Sequence, residues 1–369
     1  MRTMGLIFSS INERNIPELT AERSIASVPF GGRYRLIDFI LSDMVGANVS
    51  TVGIITKYNF QSLMDHVGSG KSWDLARKNG GIVFLPPYGG DSRMLYLSRF
   101  DAIKSVLKFL KNCTEDIVIM SDCDFAAGFD MNRAIDFFID KKSDITLLYR
   151  EKLPDADEVK HRTAIVTDDN SRVTGIVPAD REKGVNKLLT GMLIVRRDFL
   201  IRLIERCSSA GMKSFSGDVL PFAVREYRVS AYGIDGFFAS IESLSAYFKY
   251  SMELLHKPVR DSLFRSIEVY TKVRDSVPCH MGKDAKVSRS IIADGCVIEG
   301  TVENSILFRG VHIGKGTVVK NSIMFQDTDI GERCSLDYCL SDKKVTIKSG
   351  KTLAGCRELP YFIPKDAVL

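Results

Sequence analysis

The chain has 369 residues, 45% of them hydrophobic and 26% charged, and its 51 Lys and Arg against 46 Asp and Glu leave a net charge of +5. That length exceeds what one small core organises, so two domains are expected. The charge balance is too mild for a nucleic-acid or anionic-membrane partner, and no apolar run approaches the roughly 18–20 residues that span a bilayer.

The opening "MRTMGLIFSS" is basic and then apolar. Its apolar stretch of about four residues is too short for the core of a signal peptide, so a soluble cytoplasmic protein is expected. The eight cysteines contain no C-x-x-C pair, which fits a reducing compartment and argues against a structural zinc site. The five histidines are scattered, with no metalloprotease-like pair.

A short strand is expected at "LIF", followed by the loop "SSINERN", which has no glycine. "TVGIIT" (51–56), "DIVIMS" (116–121), "DITLLY" (144–149) and "GMLIVR" (191–196) are short apolar runs of the kind that form strands buried on both faces. Between them, "RAIDFFIDKK" and "DFLIRLIERC" repeat apolar residues at helical spacing. Strand alternating with helix predicts an α/β domain with a doubly wound, mainly parallel sheet. In such sheets ligands bind at the carboxyl ends of the strands, which directs attention to the loops after Ile7, Thr56 and Ser121. "SAYFKYSMELLHKPVRDSLF" reads as a helix followed by a Pro-containing connector.

From about residue 281 the helical pattern stops. "NSILFRGVHIGKGTVV" starts at Asn304 and "NSIMFQDTDIGERCSL" at Asn321, seventeen residues later. An aliphatic residue recurs about every six positions, as at Ile292, Ile298, Ile313 and Ile330, with Gly314 and Gly331 following two of them. This is the signature of a hexapeptide parallel β-helix with coils of about 18 residues. The expected organisation is an α/β domain over 1–255, a connector over 256–280 and a β-helix over 281–369.

The segments "VPFGGRYRLIDFILSD" (28–43), "TVGIITKYN" (51–59), "WDLARKNGGIVFLPP" (73–87) and "SGDVLPF" (216–222) carry a more specific signal. Together they resemble the ADP-glucose pyrophosphorylases (glucose-1-phosphate adenylyltransferases) of bacterial glycogen synthesis, and the resemblance covers nearly the whole chain. It implies a Rossmann-like nucleotidyltransferase domain, a left-handed β-helix, and transfer of an adenylyl group from ATP to glucose 1-phosphate. Such chemistry uses a Gly-rich loop, basic side chains and Mg²⁺ held by carboxylates.

Carried over position by position, the resemblance fails where that chemistry should lie. Ser9 and Ser10 replace glycines of the family's phosphate loop, and their side chains block close approach of backbone to phosphate. Ile25 stands in place of a lysine. One metal carboxylate falls on Cys123, flanked by Asp122 and Asp124, so a slip of one residue restores a ligand. The other falls on Ser240, a poor Mg²⁺ ligand beside a carboxylate. Ser98, Arg99 and Phe100 replace the nucleotide-contacting Gly-Thr-Ala. Sugar-phosphate candidates survive in Lys183, Thr190, Gly191 and Asp218, with Met192 alongside. Arg33, Arg35, Lys57, Arg77 and Lys78 are candidates for binding a phosphorylated effector.

The resemblance therefore points to the non-catalytic, D-type subunits of that family. A chain of this type needs no cofactor of its own, Mg²⁺ belonging to a catalytic paralogue with which it forms a hetero-oligomer, expected to be a tetramer. Three other readings stay open: an active adenylyltransferase using Asp122 or Asp124, a stand-alone sugar-phosphate sensor, and a different nucleotidyl- or acyltransferase carrying a β-helix.

Overall fold

The computed structural model describes residues 1–11, 13–87, 98–151, 162–179, 186–264 and 268–369. In the N-terminal domain a nine-stranded sheet carries helices on both faces. Four parallel strands run to one edge in the spatial order Ile117–Asp122, Thr3–Phe8, Thr51–Ile55 and Gly81–Leu85. The apolar runs conceal an alternation. Met4, Leu6, Phe8, Val118 and Met120 enter the core on one face, whereas Ile7, Ile117 and Ile119 enter the core on the other. Helices Arg99–Ser105 and Arg197–Ser209 cover the first face through Phe100, Ile103, Leu200 and Ile204. Helices Leu36–Gly46 and Met131–Asp140 cover the second through Ile37, Ile40, Met131 and Ile135.

The sheet is less parallel than the sequence pattern suggests. Strand Lys187–Arg196 runs antiparallel to Ile117–Asp122 on one side and to Ile145–Glu151 on the other. It follows the antiparallel pair Thr163–Thr167 and Val173–Pro178 rather than a crossover helix, and an apolar run carries no information about direction. The connector also departs from expectation, because "KPVRDSLF" forms the helix Lys257–Phe264. Pro258 sits in its first turn, where a missing N–H leaves no helical bond unmade.

The C-terminal domain is a left-handed parallel β-helix of three five-stranded sheets, beginning with His280–Met281. Ile298, Ile313, Ile330 and Ile347 pair in register as one buried column. Ile292 belongs to a different sheet, where it pairs with Leu307. The "NSI" repeats have a local cause. Asn304 and Asn321 sit at a corner with φ of 47° and 44°, a left-handed conformation that Asn tolerates better than most residues. Their amides stack, Asn304 Nδ2 donating to Asn321 Oδ1 at 2.7 Å and Asn321 Nδ2 to Asp337 Oδ1 at 2.8 Å. Gly331 is needed at its corner because a Cβ there would lie 2.7 Å from the Ser349 backbone nitrogen. The tail closes the stack, with Tyr361–Ile363 pairing with Cys339–Ser341.

The two domains share a core. Phe30, Phe39 and Tyr247 pack with Phe308 and Phe325 of the β-helix, and the Tyr247 hydroxyl donates to the Pro29 carbonyl at 2.6 Å. Arg23 crosses the junction to Asp342 through contacts of 2.8 and 2.9 Å, both side chains buried. "VPFGGRYRLIDF" is thus the element against which the β-helix docks.

Candidate functional site

The carboxyl ends of Thr3–Phe8, Thr51–Ile55 and Ile117–Asp122 open into two cavities that share Ile11, Asn15, Ser98 and Arg99. The first, of about 330 Å³, is lined by Ser9, Ser10, Glu13, Arg14, Thr56 and Lys57 among others. The second, of about 380 Å³, includes Asp122, Asp124, Arg162, Thr190, Gly191 and Glu242.

In the first cavity the loop after the opening strand is tied down by its own hydroxyl. Ser9 Oγ donates to the Ile55 carbonyl at 2.8 Å and lies 3.2 Å from Ser10 Oγ. Glu13 is buried beneath this loop, and desolvation pushes its carboxyl up to about 7 despite Ser10, the Ile25 N–H and Lys57. One Glu13 oxygen and the Thr56 hydroxyl are buried without a hydrogen-bond partner. Ile25, where the resemblance implies a lysine, is fully buried among Ile16, Leu19 and Val28 and does not line either cavity.

In the second cavity the structure separates Cys123 from its neighbours. Cys123 is buried in the core with Phe125 and Met192, while Asp122 and Asp124 line the cavity. The residue that gap-free matching places at the metal position therefore points away from the site, and the flanking carboxylates face it. Strand Phe238–Ser240 pairs with Phe125–Ala127, Ser240 opposite Phe125, and the Ile241 N–H donates to the Asp124 carbonyl at 2.7 Å. This brings Glu242 to the cavity, and Ser240 Oγ donates to its carboxylate at 3.0 Å.

Two arginines meet these carboxylates. Arg99 reaches Asp122 Oδ1 and the Gly191 carbonyl, both at 2.6 Å, with its guanidinium 4.7 Å from the Phe8 ring centre and 5.8 Å from that of Phe215. Arg162 contacts both Glu242 and the Ser240 hydroxyl. Burial raises the Asp122 carboxyl to about 7, with Arg99 opposing the shift. The nucleotidyl-transfer chemistry implied by the resemblance needs a divalent cation on carboxylates, and Asp122 and Glu242 are engaged by guanidinium groups instead. Among the described residues no group of three or more His, Cys, Asp or Glu is placed to hold a metal ion.

The sugar-phosphate candidates are dispersed. Thr190 and Gly191 line the second cavity, Thr190 donating to the Leu148 carbonyl at 2.8 Å. Gly191 has φ +80°, and a Cβ on it would lie 2.4 Å from Asp122 Oδ2. Met192 is in the core. Asp218 is exposed outside the cavity and accepts the N–H groups of Lys213 and Ser214 at 2.9 and 2.8 Å, which hold its carboxyl below the usual range. Lys183 lies outside the described residues.

The five effector candidates do not form one cluster. Lys57 lines the first cavity. Arg33 lies 5.7 Å from the Tyr34 ring centre, and Arg77 pairs with Asp74 at 2.7 Å on the surface. Lys78 is exposed. Arg35 faces the domain junction, its Nη1 donating to Ser62 O and Oγ at 2.6 and 3.0 Å. There it joins Arg23, Arg274 and Lys343, whose ammonium is pushed down to about 7 by burial and then by the Arg35 and Arg23 charges. Arg23 Nη1 is buried without a hydrogen-bond partner. Sequence reasoning missed Glu242, Arg162, Arg23 and Lys343; only a register-level pairing of distant segments exposes them.

The sheet, its carboxyl-end cavities and the docked β-helix define the nucleotidyltransferase fold joined to a hexapeptide domain. Residues 15–254 match the family described as Nucleotidyl transferase, and residues 274–356 the one described as GlmU-like, C-terminal hexapeptide. The chain is 32% identical over 366 residues to the glycogen biosynthesis protein GlgD of Bacillus subtilis (strain 168), covering 99% of this chain and 96% of that protein. It is 36% identical over 372 residues to the protein of the same name from Geobacillus stearothermophilus, covering 100% and 97%. The glucose-1-phosphate adenylyltransferase of Geobacillus stearothermophilus is 31% identical over 324 residues, covering 86% and 83%. The chain belongs to the glucose-1-phosphate adenylyltransferase family of glycogen biosynthesis, which includes the GlgD proteins. Among the described residues no helix is long and apolar enough to cross a membrane.

Proposed function

We propose that this chain is a GlgD-type regulatory subunit of ADP-glucose pyrophosphorylase, inactive alone and acting on a catalytic paralogue within a hetero-oligomer. The observation that carries the reading is the state of the phosphate-facing loop. Ser9 is bonded into the Ile55 carbonyl, Glu13 lies beneath, and Ile25 is packed into the core. A triphosphate brought here finds the buried Glu13 carboxyl and serine hydroxyls in place of the N–H groups of a glycine loop, with Arg14, Lys57 and Arg99 on the cavity wall. The two domains, by contrast, share one apolar core.

A subunit of this kind acts by stabilising one conformation of its neighbour, and a coupling of about 1–3 kcal/mol changes affinity roughly 5–150-fold. The β-helix and the outer helices supply rigid contact faces. The cationic junction of Arg23, Arg35, Arg274 and Lys343 suits a phosphorylated effector, and such an anion would bridge both domains.

Co-expression with a catalytic paralogue tests this. The expected result is a complex whose kcat/KM or effector response differs from the paralogue alone, while this chain by itself makes no ADP-glucose from ATP and glucose 1-phosphate. Failure to co-purify, or identical kinetics, refutes the regulatory reading. The carboxylates at the second cavity favour the rival adenylyltransferase reading, which Mg²⁺-dependent turnover by the isolated chain would establish.

A further inference from the structure

The family's chemistry implies a divalent cation on two carboxylates, and the geometry here disagrees. We propose that Arg99 and Arg162 take the cation's place as built-in counter-ions of Asp122 and Glu242, two of the three carboxylates that line the cavity beside Asp124, so that the cavity takes up no Mg²⁺.

Each arginine is held as a fixed part of the fold. Arg99 opens the helix Arg99–Ser105, whose cap Ser98 accepts the Asp101 N–H and also donates to the Lys213 carbonyl at 2.9 Å. From that anchored position its guanidinium lies near the rings of Phe8 and Phe215, one Nη bonding both Asp122 Oδ1 and the Gly191 carbonyl. Planar stacking on aromatics combined with in-plane hydrogen bonds is what a guanidinium does and an ammonium does poorly. The missing Cβ of Gly191 gives Asp122 the space to take this position, because a methyl group would overlap Oδ2.

Arg162 approaches from the other wall of the cavity. It contacts Glu242 and Ser240, and its Nη1 lies 3.4 Å from the Leu189 carbonyl. Ser240, standing where a carboxylate would serve a metal, thus serves the arginine, bonding Glu242 on one side and the guanidinium on the other.

A Mg²⁺ ion needs near-octahedral oxygen ligands at about 2.0–2.1 Å. Asp122 Oδ1 is occupied by a guanidinium hydrogen bond, and an incoming dication would stand within a few ångströms of two positive groups in a partly buried cavity, where their repulsion is weakly screened.

The test does not depend on any partner subunit, so it stands or falls separately from the regulatory reading. The purified full chain is titrated with Mn²⁺, followed by the loss of the free-ion electron paramagnetic resonance signal, and its melting temperature is compared in Mg²⁺ and in EDTA. The wild type is expected to show no stoichiometric site and the same melting temperature in both. R99M/R162M, in which methionine retains packing against Phe8 and Phe215, is expected to bind Mn²⁺ at least roughly tenfold more tightly, with the gain abolished by adding D122N. If the double variant does not fold, R162Q is titrated by the same criterion. Stoichiometric Mn²⁺ binding by the wild type that D122N or E242Q removes overturns the proposal. So does a folded arginine variant that gains no metal affinity.

Discussion

The Arg23–Asp342 pair offers the sharpest measurement of how the two domains hold together. Both side chains are buried, their contacts measure 2.8 and 2.9 Å, and Asp342 also accepts the Lys343 N–H at 2.7 Å. Replacing Asp342 by Leu leaves the Arg23 guanidinium in a junction that already holds Arg35, Arg274 and Lys343. Breaking a buried pair from one side costs about 3–5 kcal/mol, whereas replacing both partners by apolar groups is often near neutral. Asp342→Leu and Arg23→Met are each expected to lose about 3–5 kcal/mol, and the double variant less than about 2 kcal/mol. Urea unfolding supplies the assay, with two probes. The single tryptophan, Trp73, is buried with its ring 5.7 Å from that of His66 and reports the sheet domain, while circular dichroism reports both domains. The single variants should also separate the two transitions. Losses below about 1 kcal/mol, or losses that simply add in the double variant, would refute the reasoning.

Glu13→Gln tests the buried acid of the first cavity. Its folded-state pKa of about 7 exceeds the ordinary 4.5, so the wild type loses stability as pH rises from about 4.5 to 7, and the glutamine variant should be more stable by roughly 1–3 kcal/mol at pH 8 and little changed at pH 4. A pH-independent difference in urea midpoint would exclude this origin. Gly191→Ala introduces a Cβ 2.4 Å from Asp122 Oδ2 at a backbone φ of +80°; a loss of about 2–4 kcal/mol in urea unfolding is expected, and a loss under about 1 kcal/mol would show that Asp122 moves freely. Lys343→Met addresses the junction: an anion there favours the charged ammonium, so sulfate affinity of the wild type should fall as pH rises above about 7. Calorimetry on the variant should show weaker binding without that slope, and a wild type with no pH dependence between 6.5 and 8.5 would remove Lys343 from the site.

The repeating features of this chain were legible because they are local. Apolar runs fix which residues are strands, and the Asn304 and Asn321 spacing announces the β-helix because each coil repeats one corner geometry. The direction of Lys187–Arg196 was not legible, since neighbours in a sheet are chosen by chain path and an apolar run reads the same both ways. The site was legible as a place, at the carboxyl ends of the strands, and in part as residues, since Ser9, Ser10, Lys57, Thr190 and Gly191 line its cavities. That Cys123 turns into the core while Asp122 and Asp124 face the cavity depends on how the chain leaves its strand. Arg99 meets Asp122 across 23 positions and Arg162 meets Ser240 across 78, and Arg23 meets Asp342 across 319. Charges so far apart in the chain have no mutual signature in sequence. Their pairing follows from the shared core that docks the sheet domain on the β-helix and from the strand register that brings Ser240 beside Phe125, which only the assembled tertiary structure supplies.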